Sequence, residues 1–216
     1  MKRVFGTVEA VFDIVYLAAA TILGFTLLFG APGHTPRMLA GVMALVLAFG
    51  DAFHLAPRMI VIRTGREEHF RRILGRGKQI TSITMTVFYV LLWHIGVHIY
   101  SPGDYHIWSY IVYILAAVRI ILCLLPQNRW LERYPPVDWG IWRNIPFFLQ
   151  GMLVAGLFFI FRNQTQGLSL MWLAILLSFA FYLPVVLWAN KNPRIGMLML
   201  PKTCVYLWML VICLSL

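Results

Sequence analysis

Residues 168–189, LSLMWLAILLSFAFYLPVVLWA, form a stretch of 22 residues without one charged side chain. An α-helix rises about 1.5 Å per residue, so about 20 apolar residues cross the roughly 30 Å hydrocarbon core of a bilayer. This stretch is therefore predicted to be a membrane-spanning helix. Its unbroken apolar character favours a helix over a barrel strand, which would be shorter and would alternate polar with apolar residues.

Six further stretches of the 216-residue chain have the same character. Together they predict an all-α fold, a polytopic bundle with seven membrane spans in a single transmembrane domain. The fifth span is short, and the seventh contains Pro201 and Lys202, so six spans are the alternative count. The predicted spans are 8–29, 38–62, 80–100, 107–125, 145–161, 168–189 and 195–216.

The composition excludes several classes of protein. Hydrophobic residues make up 61% of the chain and charged residues 12%, against about 25% charged residues in a soluble domain. An ordinary soluble fold, a disordered chain and a disulfide scaffold are therefore excluded. The three cysteines, Cys123, Cys204 and Cys213, all fall in apolar stretches, where packing is their expected role.

The net charge of +10 is explained by membrane topology rather than by nucleic acid, which is not an expected partner. Thirteen cations precede the first span or follow the second, fourth and sixth, whereas the opposite loops carry only Arg37 and Arg162. The positive-inside bias then places the N-terminus in the cytoplasm. The thirteen are Lys2, Arg3, Arg63, Arg66, Arg71, Arg72, Arg76, Lys78, Arg129, Arg133, Arg143, Lys191 and Arg194.

The longest loops are predicted at 63–79 and 126–144, and neither has room for a soluble domain. The first is expected to form a short basic helix at the membrane surface, ending at Gly75 or Gly77. Membrane lipids are the expected partners, together with a small amphiphile or solute. The compact chain favours an integral protein of the bacterial inner membrane.

Ionisable residues inside a span are costly and are by default functional candidates. In the second span, Asp51, His54 and Arg58 are spaced i, i+3 and i+7, which places them on one helical face. Pro57 leaves the carbonyl of Phe53 without its usual helical donor. We expect this polar stripe to face the bundle interior. The alternative is structural: an ion pair of Asp51 with Arg58 or with an arginine of another span.

Other polar residues at membrane depth share the cytoplasmic half of the predicted bundle. With the stripe, they predict a polar cavity that opens toward the cytoplasm. Asp51 and His54 are the candidate catalytic pair, because a carboxylate can orient or activate a histidine that transfers a proton. The candidate substrate-binding residues are Arg58, Arg119, Lys202, Asp13 and Gln150.

A second pattern lies in the third span, where His94 and His98 are spaced i and i+4. Neutral imidazoles at this spacing can ligate a divalent metal such as zinc. A complete site needs a third ligand, which Asp51 or His54 would supply at a compatible depth. No resident cofactor is otherwise expected, and the metal is the alternative.

The segment Gly50-Asp51-Ala52-Phe53, with the later aromatic pair Phe88-Tyr89, resembles the lysoplasmalogenase-type family of multi-span membrane proteins. The resemblance implies hydrolysis of alkenyl-ether lysolipids, with Asp51 as the residue that carries over. The family has eight spans and a second membrane aspartate, whereas no aspartate follows Asp138 here. Thr86 stands where the family has a histidine, so the acid–base partner would be another residue, such as His54.

Three functions therefore stay open. A lipid-directed hydrolase would use Asp51 and His54, with cations holding an anionic headgroup. A small-solute or proton-coupled transporter would use the same buried groups at a site between short-looped spans. A non-catalytic sensor or assembly partner would keep the charges for structure alone.

Overall fold

The computed structural model describes residues 2–30, 32–132 and 135–216, and the regular structure of this part is entirely helical. Seven of its helical segments are long and apolar enough to cross a membrane, which confirms the all-α prediction and the count of seven. Arg133 and the side chains of Lys2 and Arg3 lie outside the described residues. The α-helices are α1 Lys2–Phe29, α2 Thr35–Thr64, α3 Glu67–Tyr100, α4 Tyr105–Leu124, α5 Val137–Ile160, α6 Met171–Trp188 and α7 Met199–Ile212.

Helix α3 occupies the centre of the bundle and packs on α2, α4 and α5. Its inward face buries large side chains completely, among them Phe88, Tyr89 and Leu92. The ring of Tyr89 meets Phe147 of α5 edge-on, with the centroids 5.2 Å apart, and lies 5.5 Å from Phe179 of α6. Such aromatic contacts stabilise a core beyond simple area burial.

Two glycines allow α2 and α3 to approach closely. A Cβ atom on Gly50 would collide with the side chain of Thr84, and one on Gly77 would collide with the carbonyl oxygen of Phe53. That carbonyl lacks its helical donor because Pro57 has no N–H. The glycine therefore lets the backbone of α3 cover a polar group that the proline leaves free.

The short helix predicted within residues 63–79 does not end at Gly75 or Gly77. Gly65, with φ of 70°, caps α2 in the left-handed conformation, but α3 already begins at Glu67 and runs through Gly75 and Gly77. Both glycines are buried, Gly75 against the carbonyl of Trp130 and Gly77 against α2. Tertiary packing thus overrides the weak helix propensity of glycine.

The seventh predicted span is not one continuous α-helix. A 3₁₀ helix, Pro193–Leu198, leads directly into the α-helix at Met199. Pro201 then falls in the first turn of α7, where the missing N–H costs no helical hydrogen bond. The next residue, Lys202, is buried with 8% of its surface exposed.

Candidate functional site

The site is built around Asp51 of α2. The hydroxyl of Tyr16 on α1 donates a hydrogen bond to its Oδ2 over 2.6 Å, and Tyr16 is 1% exposed. An O–H···O⁻ bond of this length is the strong, charge-assisted kind. The carboxylate is therefore held from a neighbouring helix rather than by another residue of the polar stripe.

Lys202 brings a cation from α7 into the same region. Its Nζ lies 4.5 Å from the ring centroid of Tyr182 and 5.0 Å from that of Tyr206, in cation–π geometry. Its charge acts on Asp51, although the two described side chains form no direct ion pair. Asp51 thus meets a donor from α1 and a cation from α7.

Arg119 of α4 is the second buried cation, with 2% of its surface exposed. Its guanidinium carbon lies 3.2 Å from the ring centroid of Phe147. Its Nε and Nη1 have no hydrogen-bond partner among the described residues. The charge of Lys202 acts on Arg119 as well. We call Tyr16, Asp51, Arg119 and Lys202 the core cluster.

A layer of neutral polar groups surrounds the core cluster. The hydroxyls of Tyr89 and Ser178 share a 2.9 Å hydrogen bond, and Tyr206 lies beside both. The hydroxyl of Tyr182 donates to Oδ1 of Asn144 over 3.0 Å. Aromatic faces and hydroxyl groups from four helices therefore lie around the cations, in addition to the carboxylate of Asp51.

The other end of the stripe on α2 has a different environment. Arg58 bonds Glu9 of α1 through Nε and Nη2, both at 2.5 Å from Oε1. We call Glu9 and Arg58 the rim pair, because the Arg58 side chain is 47% exposed and that of Glu9 14%. Asp13, one turn further along α1, is buried, and its Oδ2 has no hydrogen-bond partner among the residues that the structure describes. It lies between the rim pair and Asp51, whose charges both act on it.

His54 faces α3 instead of the core cluster. Its ring lies by the backbone of Leu74 and near Lys78, and its buried Nδ1 has no hydrogen-bond partner in the part of the chain described. The carboxylate of Asp51 accepts its hydrogen bond from Tyr16 and not from His54. The two candidate catalytic residues therefore share a helix but point to different neighbours.

Gln150 links α5 to α3. Its Nε2 donates to the carbonyl of Thr86 over 3.3 Å, while its buried Oε1 has no partner within the described ranges. The hydroxyl of Thr86 is itself bonded to the carbonyl of Ser82. Gln150 is thus a buried interhelical contact with one free acceptor.

The two histidines of α3 lie at the surface of the bundle, where His98 is exposed and His94 is half-buried. The Nε2 of His94 shares a 2.9 Å hydrogen bond with the hydroxyl of Tyr113, and the Nδ1 of His98 lies 3.1 Å from the His94 carbonyl. Their ring centroids are 6.4 Å apart. The residues described include no group of three or more His, Cys, Asp or Glu that could hold a metal. The zinc site stays a prediction.

Two of the cavities formed by the described residues are apolar. One, of about 320 Å³, lies between α3, α4 and α5 and is lined in part by Trp93, Trp108 and Gly156. The other, of about 260 Å³, lies between α5 and α6 next to Asn144 and Phe148. None of the predicted site residues lines either one.

Sequence reasoning missed the aromatic partners of the charges. Tyr16 had a usable signal, because it follows Asp13 at i+3 and so shares a face of α1 with a buried acid. Tyr182, Tyr206 and Phe147 carried no such signal, since aromatic residues in an apolar span are normally read as core packing.

Comparison with known proteins adds no family. No protein-family model, curated protein or solved structure matches the chain. The resemblance at Gly50-Asp51 therefore rests on the residues of that segment, and its hydrolase implication stays a prediction.

Proposed function

We propose that the chain is an integral protein of the bacterial inner membrane and a proton-coupled carrier of a small solute. The observation that carries this proposal is the position of Asp51. Its carboxylate accepts a hydrogen bond from Tyr16 and is acted on by the charge of Lys202, so it interacts with α1 and α7 as well as lying on α2. An intramembrane carboxylate with partners on separate helices is typical of proton relays in transporters.

The coupling would work through the charge of Asp51. The titratable groups that face it are Asp13 and Tyr16 on α1 and Lys202 and Tyr206 on α7. A proton bound by the carboxylate removes its attraction for Lys202 and weakens the bond from Tyr16. Protonation would thereby loosen α7 from α2 and free a cation for the solute, which are the two changes that alternating access requires.

Flux in proteoliposomes tests this proposal. Purified protein is reconstituted with a trapped pH dye, and lactate, glutamate, phosphate or mannitol is added outside under an inward proton gradient. We expect one of these classes to enter together with protons. Asp51→Asn should abolish the coupled flux, because the amide cannot take up the proton.

The control is Glu9→Gln, which removes the neighbouring acid of the rim pair and should leave the flux intact. Equal proton and solute fluxes in wild-type and Asp51→Asn vesicles would contradict coupling through Asp51, on which the proposal rests. Loss of flux in Glu9→Gln to the same degree would show that the effect is not specific to Asp51.

A lipid-directed hydrolase is the second candidate, and a different observation favours it. The Nδ1 of His54, one turn from Asp51, is buried and has no hydrogen-bond partner in the described part of the chain. Such a nitrogen can transfer a proton to or from a bound substrate. The resemblance at Gly50-Asp51 points to the same reaction class. Here Arg58, Arg119 or Lys202 would hold the anionic headgroup.

Turnover of a lysolipid panel in detergent separates the two candidates. Headgroup-dependent product release that His54→Gln abolishes would favour the hydrolase, and the matched control is His98→Gln in α3. If neither turnover nor coupled flux is seen, the core cluster is structural. The non-catalytic sensor or assembly partner is then the best description.

A further inference from the structure

We infer that Arg119 is the anchor for a small monoanionic carboxylate, which would be the solute of the proposed carrier. The inference rests on that proposed function for the role of the ligand, but its observation is separate. Arg119 is 2% exposed, and two of its nitrogens have no partner among the residues described.

The charges of the core leave Arg119 without a counter-ion. The charge of Lys202 is opposed by the carboxylate of Asp51, and Arg58 forms an ion pair with Glu9. Within the described part of the chain, the groups that act on Arg119 are hydroxyls, a thiol and the like charge of Lys202. A buried charge normally needs a partner, and breaking a buried pair is strongly destabilising. An anion from outside the chain would supply the missing partner.

The surroundings of Arg119 define the class of anion. One uncompensated positive charge calls for one negative charge, which favours a monoanion over phosphate. Phe147 covers one face of the planar guanidinium at 3.2 Å, so ligands are accepted at its edges, where N–H groups match carboxylate oxygens. Tyr89, Tyr182 and Tyr206 are near enough to act on the guanidinium electrostatically, and aromatic residues suit the apolar body of an organic acid.

Equilibrium binding in detergent, without any gradient, tests the inference. The midpoint of thermal unfolding is followed while sodium benzoate, lactate or hexanoate is titrated at constant ionic strength, with sodium chloride and sodium phosphate as references. A ligand that binds only the folded state raises this midpoint with concentration. We expect a rise for a monocarboxylate that exceeds the rise for chloride and phosphate. A larger rise with benzoate or lactate would indicate that the natural ligand is a water-soluble acid. A larger rise with hexanoate would indicate an acid with a hydrocarbon chain.

Arg119→Gln should lower the carboxylate affinity at least ~10-fold, because it removes a charge-assisted hydrogen bond. The matched control is Arg143→Gln. Arg143 is a partly buried arginine that already has partners, since its Nη1 donates to Asn128 over 2.8 Å and its guanidinium stacks on Trp130. That variant should keep the wild-type affinity.

Stability without ligand provides a second readout. Arg119→Met is expected to unfold at the wild-type temperature or above, because it removes an unpaired charge from the core. A large loss of stability would show that the charge is already compensated and would overturn the inference. Binding of phosphate alone, or equal binding by wild-type protein and Arg119→Gln, would also overturn it.

The two proposals fail in different experiments. Proton-coupled flux of mannitol without carboxylate binding would refute the anchor at Arg119 and keep the carrier. Carboxylate binding that depends on Arg119, without coupled flux, would keep the anchor and refute the carrier.

Discussion

The core cluster and the rim pair share helices α1 and α2, yet their charges are compensated in different ways. At the rim, Arg58 and Glu9 contact each other directly at 2.5 Å, and the arginine is half exposed. In the core, Asp51 takes a hydrogen bond from Tyr16 and the charge of Lys202 from a third helix. The half-exposed Arg58 has one direct partner among the described residues. The half-buried Asp51 interacts with two other helices, so a change in its charge affects more of the bundle.

The largest effect is expected from removing Lys202, one of the two cations of the core cluster. Lys202→Met leaves the carboxylate of Asp51 without its compensating charge. The variant should lose about 3 kcal/mol of unfolding free energy, the low end of the range for broken buried pairs, because the two groups do not touch. Denaturant unfolding in mixed micelles, followed by circular dichroism, measures this loss.

The control for this effect is the double variant Asp51→Asn with Lys202→Met. With both charges gone, most of the lost stability should return. If the double variant is as unstable as Lys202→Met alone, the lysine acts through its packing against Tyr182 and Tyr206. The contrast between core and rim would then have another cause.

A smaller effect is expected from the hydrogen bond inside the cluster. Tyr16→Phe removes the donor to Asp51 and should cost about 1.5–3 kcal/mol, the range for bonds to charged groups. Tyr100→Phe is the matched control, since the hydroxyl of Tyr100 is buried without a partner among the described residues. Equal losses in both variants would show that the 2.6 Å bond adds no stability.

The smallest effect is expected at the rim. Glu9→Gln should change the unfolding free energy by about 0–1 kcal/mol, as exposed ion pairs do, and the difference should shrink further in high salt. Measurements at low and high sodium chloride concentration check both points. A loss above about 2 kcal/mol would show that the rim pair stabilises the fold as strongly as the core cluster does, and the proposed difference between them would be wrong.

Much of the architecture was predictable from hydrophobicity. Seven apolar stretches separated by short polar links predict seven helices by length alone, and the spacing of Asp51 and Arg58 predicts a shared face. The predicted ends were less accurate, because helices such as α3 continue past the hydrophobic stretch. The polar residues 67–79 and their two glycines predict a separate surface helix, yet packing against α2 and Trp130 makes them the first turns of α3.

The neighbours of each charge were not predictable. A helical face covers a wide angle, so i, i+3 and i+7 spacing cannot say which helix each residue meets. Asp51 meets α1 and α7, His54 meets α3, and Arg58 meets α1 again. These assignments depend on how α7 folds back across the bundle, which no local pattern encodes.

The seam between α2 and α3 has a consequence for biosynthesis. The carbonyl of Phe53 has no helical donor, and in hydrocarbon such a group is costly. Gly77 covers it only once α3 lies beside α2. We therefore expect the translocation machinery to release the two segments into the bilayer together, as a helical hairpin. A ribosome-bound chain truncated between them should stay at the translocon.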